Sequence, residues 1–433
     1  MDGPEVCQQM REDWNRRARE DASYYVAFGR RAQTEEEFFV TGVELAQGLA
    51  RELKRLAPSL TGWRALEIGC GLGRLMRPLA RHFAEIHGVD VSDEMLRRAS
   101  ERLADTPNAH VHLTSGADLG MFADGYFDFV YSYAVFQHIP SREVVFEYLR
   151  EARRVMRPGA VFRFQLNGLP ETAARYDTWN GVRIPAAEVA AFARDYDFQL
   201  LALEGARTQY LWVTLLKQPA GWRESLLARR PHACARIRRI TNAHSSEPLA
   251  PSRGRFASVS LWLEGLPREA DLTTLEVRVG GALGELQYLG PPEYDGLQQL
   301  NVALPDGLAS GLQPVAACWL GRPVAPAATL RVIPPGPLVP RIVSVTDGID
   351  LLSGTRIVSR SVKVGIEETT TPSQLRASID GTPVPTTDFL CVDPVPPRFE
   401  VNLKLPDAIS PGPHRLELWL GARRFAPIPI EVA

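Results

Sequence analysis

The sequence predicts a multidomain chain: a helical N-terminal segment, an α/β domain built on a parallel sheet, and two all-β sandwiches in tandem. Three observations predict this. Between Trp63 and Lys217, short apolar runs alternate with segments of helical period. That is the pattern of strands linked by crossover helices into a sheet covered on both faces. After about Pro219 the helical period fades, and short alternating segments with Pro/Gly turns take over. This second half also repeats itself. LEVRVGG at Leu275 matches LRASIDG at Leu375, VALPDGL at Val302 resembles LKLPDAI at Leu403, and RIRRITN at Arg236 resembles RIVSVTD at Arg341. CWLGRPVAP at Cys318 resembles LWLGARRFAP at Leu418, which sets Trp319 and Trp419 100 residues apart. A unit of that length holding several short strands fits a sandwich domain and is too long for a solenoid repeat.

At 433 residues the chain exceeds one ordinary core. The expected boundaries are a helical cap over 1–60, the α/β domain over 61–218, a linker over 219–235, and β-sandwich repeats over 236–336 and 337–433. Pro334-Pro335-Gly336-Pro337 forms a stiff joint between the repeats. In the first segment Trp14, Ala18, Tyr24 and Tyr25 are followed by Phe38, Phe39, Val43, Leu45, Leu49 and Leu53 at roughly helical spacing, and Thr61-Gly62 ends the pattern. ALEIGC then reads as a strand, Gly71-Leu72-Gly73 as a turn, RLMRPLARHF as a helix and EIHGVDVS as a second strand. Ser92 suits the N-cap of the next helix, with Asp93 and Glu94 favouring its positive end. AHVHLTS, FDFVYSYA and AVFRFQLNG follow as strands, with the helix REVVFEYLREARRVM and the turn Pro158-Gly159 before the last of them. A helix around Pro185 to Tyr196 and the strands FQLLALEG and TQYLWVTLLK complete the sheet.

Composition excludes some functions. Hydrophobic residues make up 45% and charged residues 23%, and the formal net charge is -2. No global basic field draws such a chain to nucleic acid or an anionic membrane. The arginines between Arg223 and Arg239 read as a solvated linker face. The first residues lack the apolar core of a secretory signal, and no run of about 18 apolar residues predicts a membrane span. Five cysteines, without any CxxC pair, favour neither a metal site nor a disulfide framework; a reducing, cytoplasmic setting is the expectation. His82, His87, His110 and His112 show no ligand spacing and read as surface or strand residues.

The chemistry gathers around LEIGCGLGR, Leu66 to Arg74, at a strand-to-helix turn. Gly69, Gly71 and Gly73 let the backbone turn sharply and approach a ligand closely. In open α/β sheets such turns lie at the carboxyl ends of strands, where ligands bind. The order GxGxG, with Glu67 ahead of it, differs from the GxGxxG of nicotinamide dinucleotide folds. A carboxylate there suits an ammonium or sulfonium better than a pyrophosphate. Asp90 ends the second strand, where a carboxylate can accept both hydroxyls of a ribose.

These motifs, with SGADLG at Ser115, FDFVYSYAVFQHIP at Phe127 and MRPGA at Met156, occur in order at the usual separations. The set resembles the class I S-adenosylmethionine-dependent methyltransferases of small-molecule type, over about Trp63 to Lys217. The resemblance implies a Rossmann-like, seven-stranded sheet whose last strand is antiparallel, with S-adenosyl-L-methionine as cofactor. It further implies that Glu67, Gly69, Gly71 and Gly73 surround the methionine part, Asp90 holds the ribose, and Val91 packs on the adenine. Ala117 and Asp118 meet the adenine edge, Ser132 and Tyr133 lie beside the methyl donor, and Gln137 and His138 face the substrate. His138 is the candidate general base, because an unperturbed imidazole titrates near neutrality. Trp14, Tyr24 and Tyr25 are candidates to close over the cofactor, or else core residues of the cap. The acceptor is not legible; lipids, quinones, sugars and other metabolites are all open.

The β-repeats show no catalytic constellation and resemble immunoglobulin-like or IPT/TIG-like domains. Trp262, Trp319 and Trp419 read as sandwich core. Cys318 aligns with Leu418 and Cys391 falls near Gly290, so no disulfide within a repeat is expected. Such modules bind a glycan or protein partner, or act as spacers. Two further readings frame the expectation. A degenerate fold would bind the cofactor as a scaffold without turnover, and an oxidoreductase is disfavoured by the glycine order. A chain ending near Lys217 is expected to keep cofactor affinity.

Overall fold

Ala65, Leu66 and Ile68 are buried without polar alternation, as befits a strand covered on both faces. They form β1 (Arg64–Ile68), the middle of a sheet in the computed structural model. The structure describes residues 3–27, 34–57, 59–171, 175–229, 234–254, 256–348, 354–369, 371–393 and 398–433. Cys391 falls among residues whose side chains are not described. The chain divides into two compact units, residues 1–16 with 42–335, and residues 17–41 with 336–433.

In the first unit β1 pairs in parallel with β2 (Glu85–Asp90) and β4 (Phe127–Ser132). β3 (Ala109–Leu113) extends the sheet beside β2, and β5 (Met156–Leu166) beside β4. β6 (Phe198–Glu204) and β7 (Leu211–Lys217) complete it, β7 lying antiparallel between β5 and β6. The order β3-β2-β1-β4-β5-β7-β6 reverses direction between β1 and β4. A ligand crevice is expected at the carboxyl ends of those strands. The Pro158-Gly159 turn lies inside β5, which begins four residues earlier than its apolar run, at Met156.

Two helices enter this unit from the N-terminal region: α1 (Gly3–Ala27), through its residues up to 16, and α2 (Glu35–Leu56), through those from 42. α3 (Met76–Ala80) and α4 (Asp93–Arg102) follow β1 and β2. α5 (Arg142–Val155) and α6 (Ala186–Asp195) cover the other face. Leu49, Leu53, Met76, Leu79 and Leu96 pack one face of the sheet, and Val145, Leu149, Val189 and Phe192 pack the other.

The segment 219–235, expected as a linker, holds α7 (Trp222–Arg229), whose Leu226 is buried. Its Arg223 is not a solvated arginine. It pairs with Asp271, which is fully buried, at 3.0 Å. Asp271 also accepts from the backbone of Leu200 in β6, at 3.1 Å.

The first β-repeat holds β8 (Arg236–Asn242), β9 (Leu249–Pro251), β10 (Ser258–Glu264), β11 (Leu275–Val279), β12 (Ala282–Leu283) and β13 (Glu285–Leu289). It continues with β14 (Leu297–Ala303), β15 (Gly311–Trp319), β16 (Arg322–Pro323) and β17 (Ala328–Ile333). One of its sheets runs β12-β11-β15-β17-β9. The other, β13-β14-β10-β8, is continuous with the α/β sheet, because β13 pairs with β6 at Tyr288 and Ala202. Both sheets share one apolar core around Leu261, Val277, Leu300 and Val315. One eleven-stranded sheet therefore runs from the α/β domain into the first repeat, whose remaining strands form the second sheet.

In the second unit, β18 (Arg341–Asp347), β19 (Arg356–Ile357), β20 (Ser361–Glu367), β21 (Leu375–Ile379) and β22 (Thr382–Val384) are followed by β23 (Thr386–Asp393), β24 (Arg398–Lys404), β25 (Gly412–Leu420), β26 (Arg423–Arg424) and β27 (Ile428–Val432). Sheets β18-β20-β24-β23 and β19-β27-β25-β21-β22 reproduce the strand order of the first repeat. The tryptophans do not correspond as their spacing suggests. Leu275 faces Trp319 across β11 and β15, whereas Leu375 faces Leu420 across β21 and β25. A slip of one residue turns a strand over. Trp319 is therefore 2% exposed, while Trp419 is half-buried with the Arg424 guanidinium 5.8 Å from its ring. Trp262 is likewise half-buried under Arg239, at 4.3 Å.

The join at β6 changes the expectation for a chain ending near Lys217. That cut removes Asp271, Leu272, which donates to Leu200 at 2.9 Å, and the carbonyls that accept from Gln199. It leaves β6 as an open apolar edge, a site of misassembly. A chain ending at 217 is expected to aggregate or to melt well below one ending near 335, as thermal unfolding will show; equal midpoints would mean the join contributes nothing. In the full chain, Asp271→Ala leaves Arg223 buried and uncompensated and is expected to cost about 3–5 kcal/mol in denaturant unfolding.

Candidate active site

The glycine turn follows directly from β1. Gly69, Gly71 and Gly73 have φ of 75°, 51° and 76°, in the region that favours glycine. A Cβ on Gly69 would lie 2.4 Å from the Val135 side chain, and one on Gly73 would lie 2.8 Å from Leu103. Gly69 therefore lets the turn pass under the loop that follows β4. The turn is tied to the tip of β2: the Gly71 N–H donates to Asp90 Oδ2 and the Ser92 N–H to Asp90 Oδ1, each at 2.9 Å. Each carboxylate oxygen keeps a further lone pair for another donor. Burial pushes the Asp90 carboxyl upward, and the N–H bonds from Ser92 and Gly71 oppose that.

Glu67 is 4% exposed. The register that sets Glu67 opposite Tyr131 lets the tyrosine hydroxyl donate to its carboxylate at 2.8 Å. Burial pushes the Glu67 carboxyl up to about 8, against the pull of Tyr131 and of the Arg74 guanidinium. A buried acid that is largely protonated at neutral pH when alone is a seat for a cationic group. Arg74 lies 5.5 Å from the ring of Tyr133, which stacks on Trp212 at 5.6 Å. The Ser132 hydroxyl donates to the Ile68 carbonyl at 3.0 Å, fastening the end of β4 to β1. Ala134, next to Tyr133, has a φ of 55°, a strained conformation of the kind that gathers at functional sites.

Val91 is buried and Ala117 half-buried in the core beneath the tips of the strands. The carboxylate of Asp118 takes the Ser115 hydroxyl and the Gly120 N–H, and the Ser115 bond holds it below the usual carboxylate range. Residues 3–16 of α1 cross this region. Arg11 donates to the carbonyls of Val91 and Thr114, at 3.2 and 3.1 Å. Asn15 accepts from the Ser92 hydroxyl at 2.6 Å and donates to Asp93 at 2.7 Å, so α1 grips the N-cap of α4. Cys7 packs on Gly116 so closely that a Cβ there would meet its sulfur at 2.5 Å.

Gln137 and His138 lie in a 3-10 turn, Phe136–His138. His138 is buried, with Nδ1 2.9 Å from the Trp179 carbonyl. A carbonyl only accepts, so Nδ1 carries a proton, and the Gln137 amide nitrogen lies 3.5 Å from Nε2. The Trp14 ring meets His138 edge to face at 5.7 Å, and Trp179 lies 5.8 Å away. The loop carrying Trp179 is clamped to the turn, since Gly181 N–H donates to the Gln137 carbonyl and the Thr178 hydroxyl to Asp13. Tyr24 and Tyr25 belong to the other compact unit, where they form an edge-to-face pair.

The structure thus brings together Trp14, Glu67, the three glycines, Asp90, Val91, Ala117, Asp118, Ser132, Tyr133, Gln137 and His138 at one edge of the sheet. It adds Arg11, Asn15, Arg74, Tyr131, Trp179 and Trp212, to which the motifs assign no role. The register of β4 against β1 is the signal that would have found Tyr131. Among the described residues no group of three or more His, Cys, Asp or Glu side chains is placed to hold a metal ion, and no helix is long and apolar enough to cross a membrane. His87 and His112 lie on neighbouring strands with ring nitrogens 3.0 Å apart, and burial pushes both imidazoles downward.

Residues 66–164 match the family model of a methyltransferase domain. Phosphoethanolamine N-methyltransferase 2 of Caenorhabditis elegans is 35% identical over 109 residues, which are 25% of this chain and 24% of that protein. The ubiquinone biosynthesis O-methyltransferase of Xanthomonas oryzae pv. oryzae is 26% identical over 34% of this chain and 66% of its own length. Among solved structures, phosphoethanolamine N-methyltransferase 1 of Haemonchus contortus, in complex with phosphoethanolamine and S-adenosylhomocysteine, aligns over 51% of each chain with a TM-score of 0.40 and 16% identity. The chain spans less than two thirds of the length of these curated relatives.

Tyr131→Phe removes the hydroxyl that favours the ionised form of Glu67. The Glu67 carboxyl is expected to titrate at higher pH in carbon-13 NMR, with a stability loss of about 1–3 kcal/mol. An unmoved titration would show that the phenol does not set this acid.

Proposed function

We propose that this chain transfers a methyl group from S-adenosyl-L-methionine to an acceptor seated beside Tyr133, Gln137 and His138. The observation that carries the reading is the pair of buried acids flanking a glycine turn on adjacent parallel strands, Glu67 at the end of β1 and Asp90 at the end of β2. The domain match over residues 66–164 supports it.

The residues fit the cofactor. Glu67 is a desolvated acid that a cationic ammonium would draw into its charged form, the three glycines at positive φ allow the sharp turn between the strand tips, and Asp90 has lone pairs for ribose hydroxyls. Val91 and Ala117 offer apolar surface to an adenine, with Asp118 at its edge. When bound, the cofactor supplies a methyl group already activated by its sulfonium. The protein orients the acceptor and excludes water. Trp14 and Trp179 flank the His138 ring, and we read His138 as the group that would take a proton from an acceptor that still carries one. A cytoplasmic setting fits the cysteine pattern, in which Cys7, Cys70, Cys234 and Cys318 are free thiols. We read the β-repeats as immunoglobulin-like modules for binding or spacing.

Calorimetric titration with S-adenosylmethionine tests the reading: saturable binding supports it, and absence of heat at high protein concentration contradicts it. Binding without turnover on any acceptor would favour a scaffold role. Asp90→Ala removes the carboxylate that holds the turn and is expected to weaken cofactor binding by about 1–3 kcal/mol. Because burial holds the Glu67 carboxyl at about 8 and a cation beside it lowers that value, cofactor binding is expected to release a proton below that pH. Affinity is then expected to rise between about pH 6 and 7.5. Titration in buffers of different ionisation enthalpy will show the release in the native protein and its loss in Glu67→Gln; identical heats in both would contradict it.

A further inference from the structure

A second polar cavity lies within the first unit, away from the glycine turn. Its volume is about 250 Å³, and it sits where the last turns of α2, the strands β5, β6 and β7, and the β13–β14 hairpin of the first repeat converge. Its wall carries Glu52, Arg163, Glu204, Tyr288, Gln299 and Asn301. Arg163 is the floor, projecting from β5, 9% exposed, with its guanidinium 4.8 Å from the Trp212 ring. It donates to the Thr214 hydroxyl at 2.5 Å, to Glu52 at 3.2 Å and to Glu204 at 3.4 Å. Its Nε lies 2.9 Å from the other Glu52 oxygen but is not aligned to donate to it, so a buried guanidinium N–H goes without a hydrogen bond. Such a group is costly unless something else accepts from it. The two glutamates keep 48% and 42% of their side-chain exposure. At the rim Arg55 donates to the Tyr288 hydroxyl at 2.9 Å and to Glu293 at 3.3 Å.

The lining selects a chemistry. Glu52 and Glu204 balance Arg55 and Arg163, so the cavity has no net charge to offer an anion or a cation. It presents the Glu52 and Glu204 oxygens as acceptors and the Asn301 amide N–H as a donor, the Gln299 amide being held by Ser260 and Asn301, with Leu201, Leu289 and Pro291 as small apolar patches. Carboxylates accept pairs of hydroxyl protons, guanidinium and amide groups donate to hydroxyl oxygens, and apolar patches meet C–H faces. The volume falls below the roughly 300–1,000 Å³ of pockets for drug-sized ligands, which limits the occupant to about one ring. We propose that this cavity is a binding site for one neutral sugar ring, held between the methyltransferase domain and the first β-repeat. The lining side chains belong to neither the cofactor seat nor the acceptor side, and Arg163 meets that side only through Trp212, which stacks on Tyr133. The site gives the continuous sheet a use: the hairpin that covers the edge of β6 also supplies Tyr288, Gln299 and Asn301 to the pocket.

Saturation-transfer NMR on the full chain, with glucose, galactose, mannose and rhamnose as free sugars and as methyl glycosides, tests this. At least one is expected to receive saturation. Glu204→Gln and Asn301→Ala, which leave Arg163 paired with Glu52, are each expected to weaken that binding at least fivefold, while His138→Ala leaves it unchanged. Binding of methyl glycosides alone identifies the terminal residue of a glycan, and equal binding of the free sugars identifies a free monosaccharide; either supports the site. Absence of transfer from all eight probes overturns the proposal. So does binding that His138→Ala removes and Glu204→Gln and Asn301→Ala spare, which would place the sugar on the acceptor side. Thermal unfolding and S-adenosylhomocysteine binding of the variants check that each retains its fold.

Discussion

The hydrogen bond from the Gly71 N–H to Asp90 is the constraint on which the site depends. It joins the glycine turn to the tip of β2, beside the Gly69 and Cys70 N–H groups that donate to the Val89 carbonyl at 2.8 and 3.0 Å. Asp90 can do this only because its second oxygen is held by Ser92, whose own side chain caps α4 and is gripped in turn by Asn15 of α1. One carboxylate thus fixes the turn, the start of a helix and the docking of the N-terminal segment. Glu67 completes the arrangement from the other strand. Its burial is unfavourable for the charged form, and Tyr131 and Arg74 offset that only in part. The free site is therefore poised to gain from a cation, which is the electrostatic complement of a sulfonium cofactor with an ammonium group.

A second constraint acts far from that edge. The open side of β6 would be an exposed apolar strand edge, and the first β-repeat closes it. Strand pairing is slight, a single bridge between Tyr288 and Ala202, but the side chains around it are extensive. Asp271 and Arg223 form a buried pair, and Gln199 donates to the carbonyls of Arg268 and Ala270. The repeat is thereby packed into the same compact unit as the α/β sheet rather than hung on a string, and its hairpin contributes to a polar cavity that the α/β sheet alone would leave open.

Much of the α/β domain is legible in the sequence because its signals are local. Apolar runs mark the strands, glycines with positive φ mark the turn, and Ser92 marks a helix start that the structure shows capped. Glu67 and Asp90 follow from their places at strand ends. What is not legible depends on long-range register. Tyr131 becomes a partner of Glu67 only once β4 lies beside β1, and Asn15 reaches Ser92 across 77 positions of sequence. The arginine-rich stretch reads as solvated by composition, yet Arg223 is buried because Asp271 is there to receive it. The matching spacing of Trp319 and Trp419 misleads for a related reason: the strands they end are offset by one residue, and a one-residue slip reverses the face.

A crystal structure with S-adenosylhomocysteine bound tests the central claim most directly. The account predicts the amino group of the ligand against Glu67, the ribose hydroxyls on Asp90, and the adenine over Val91 and Ala117. Density for the ligand elsewhere, or a glycine turn closed over the ends of β1 and β2, would contradict it.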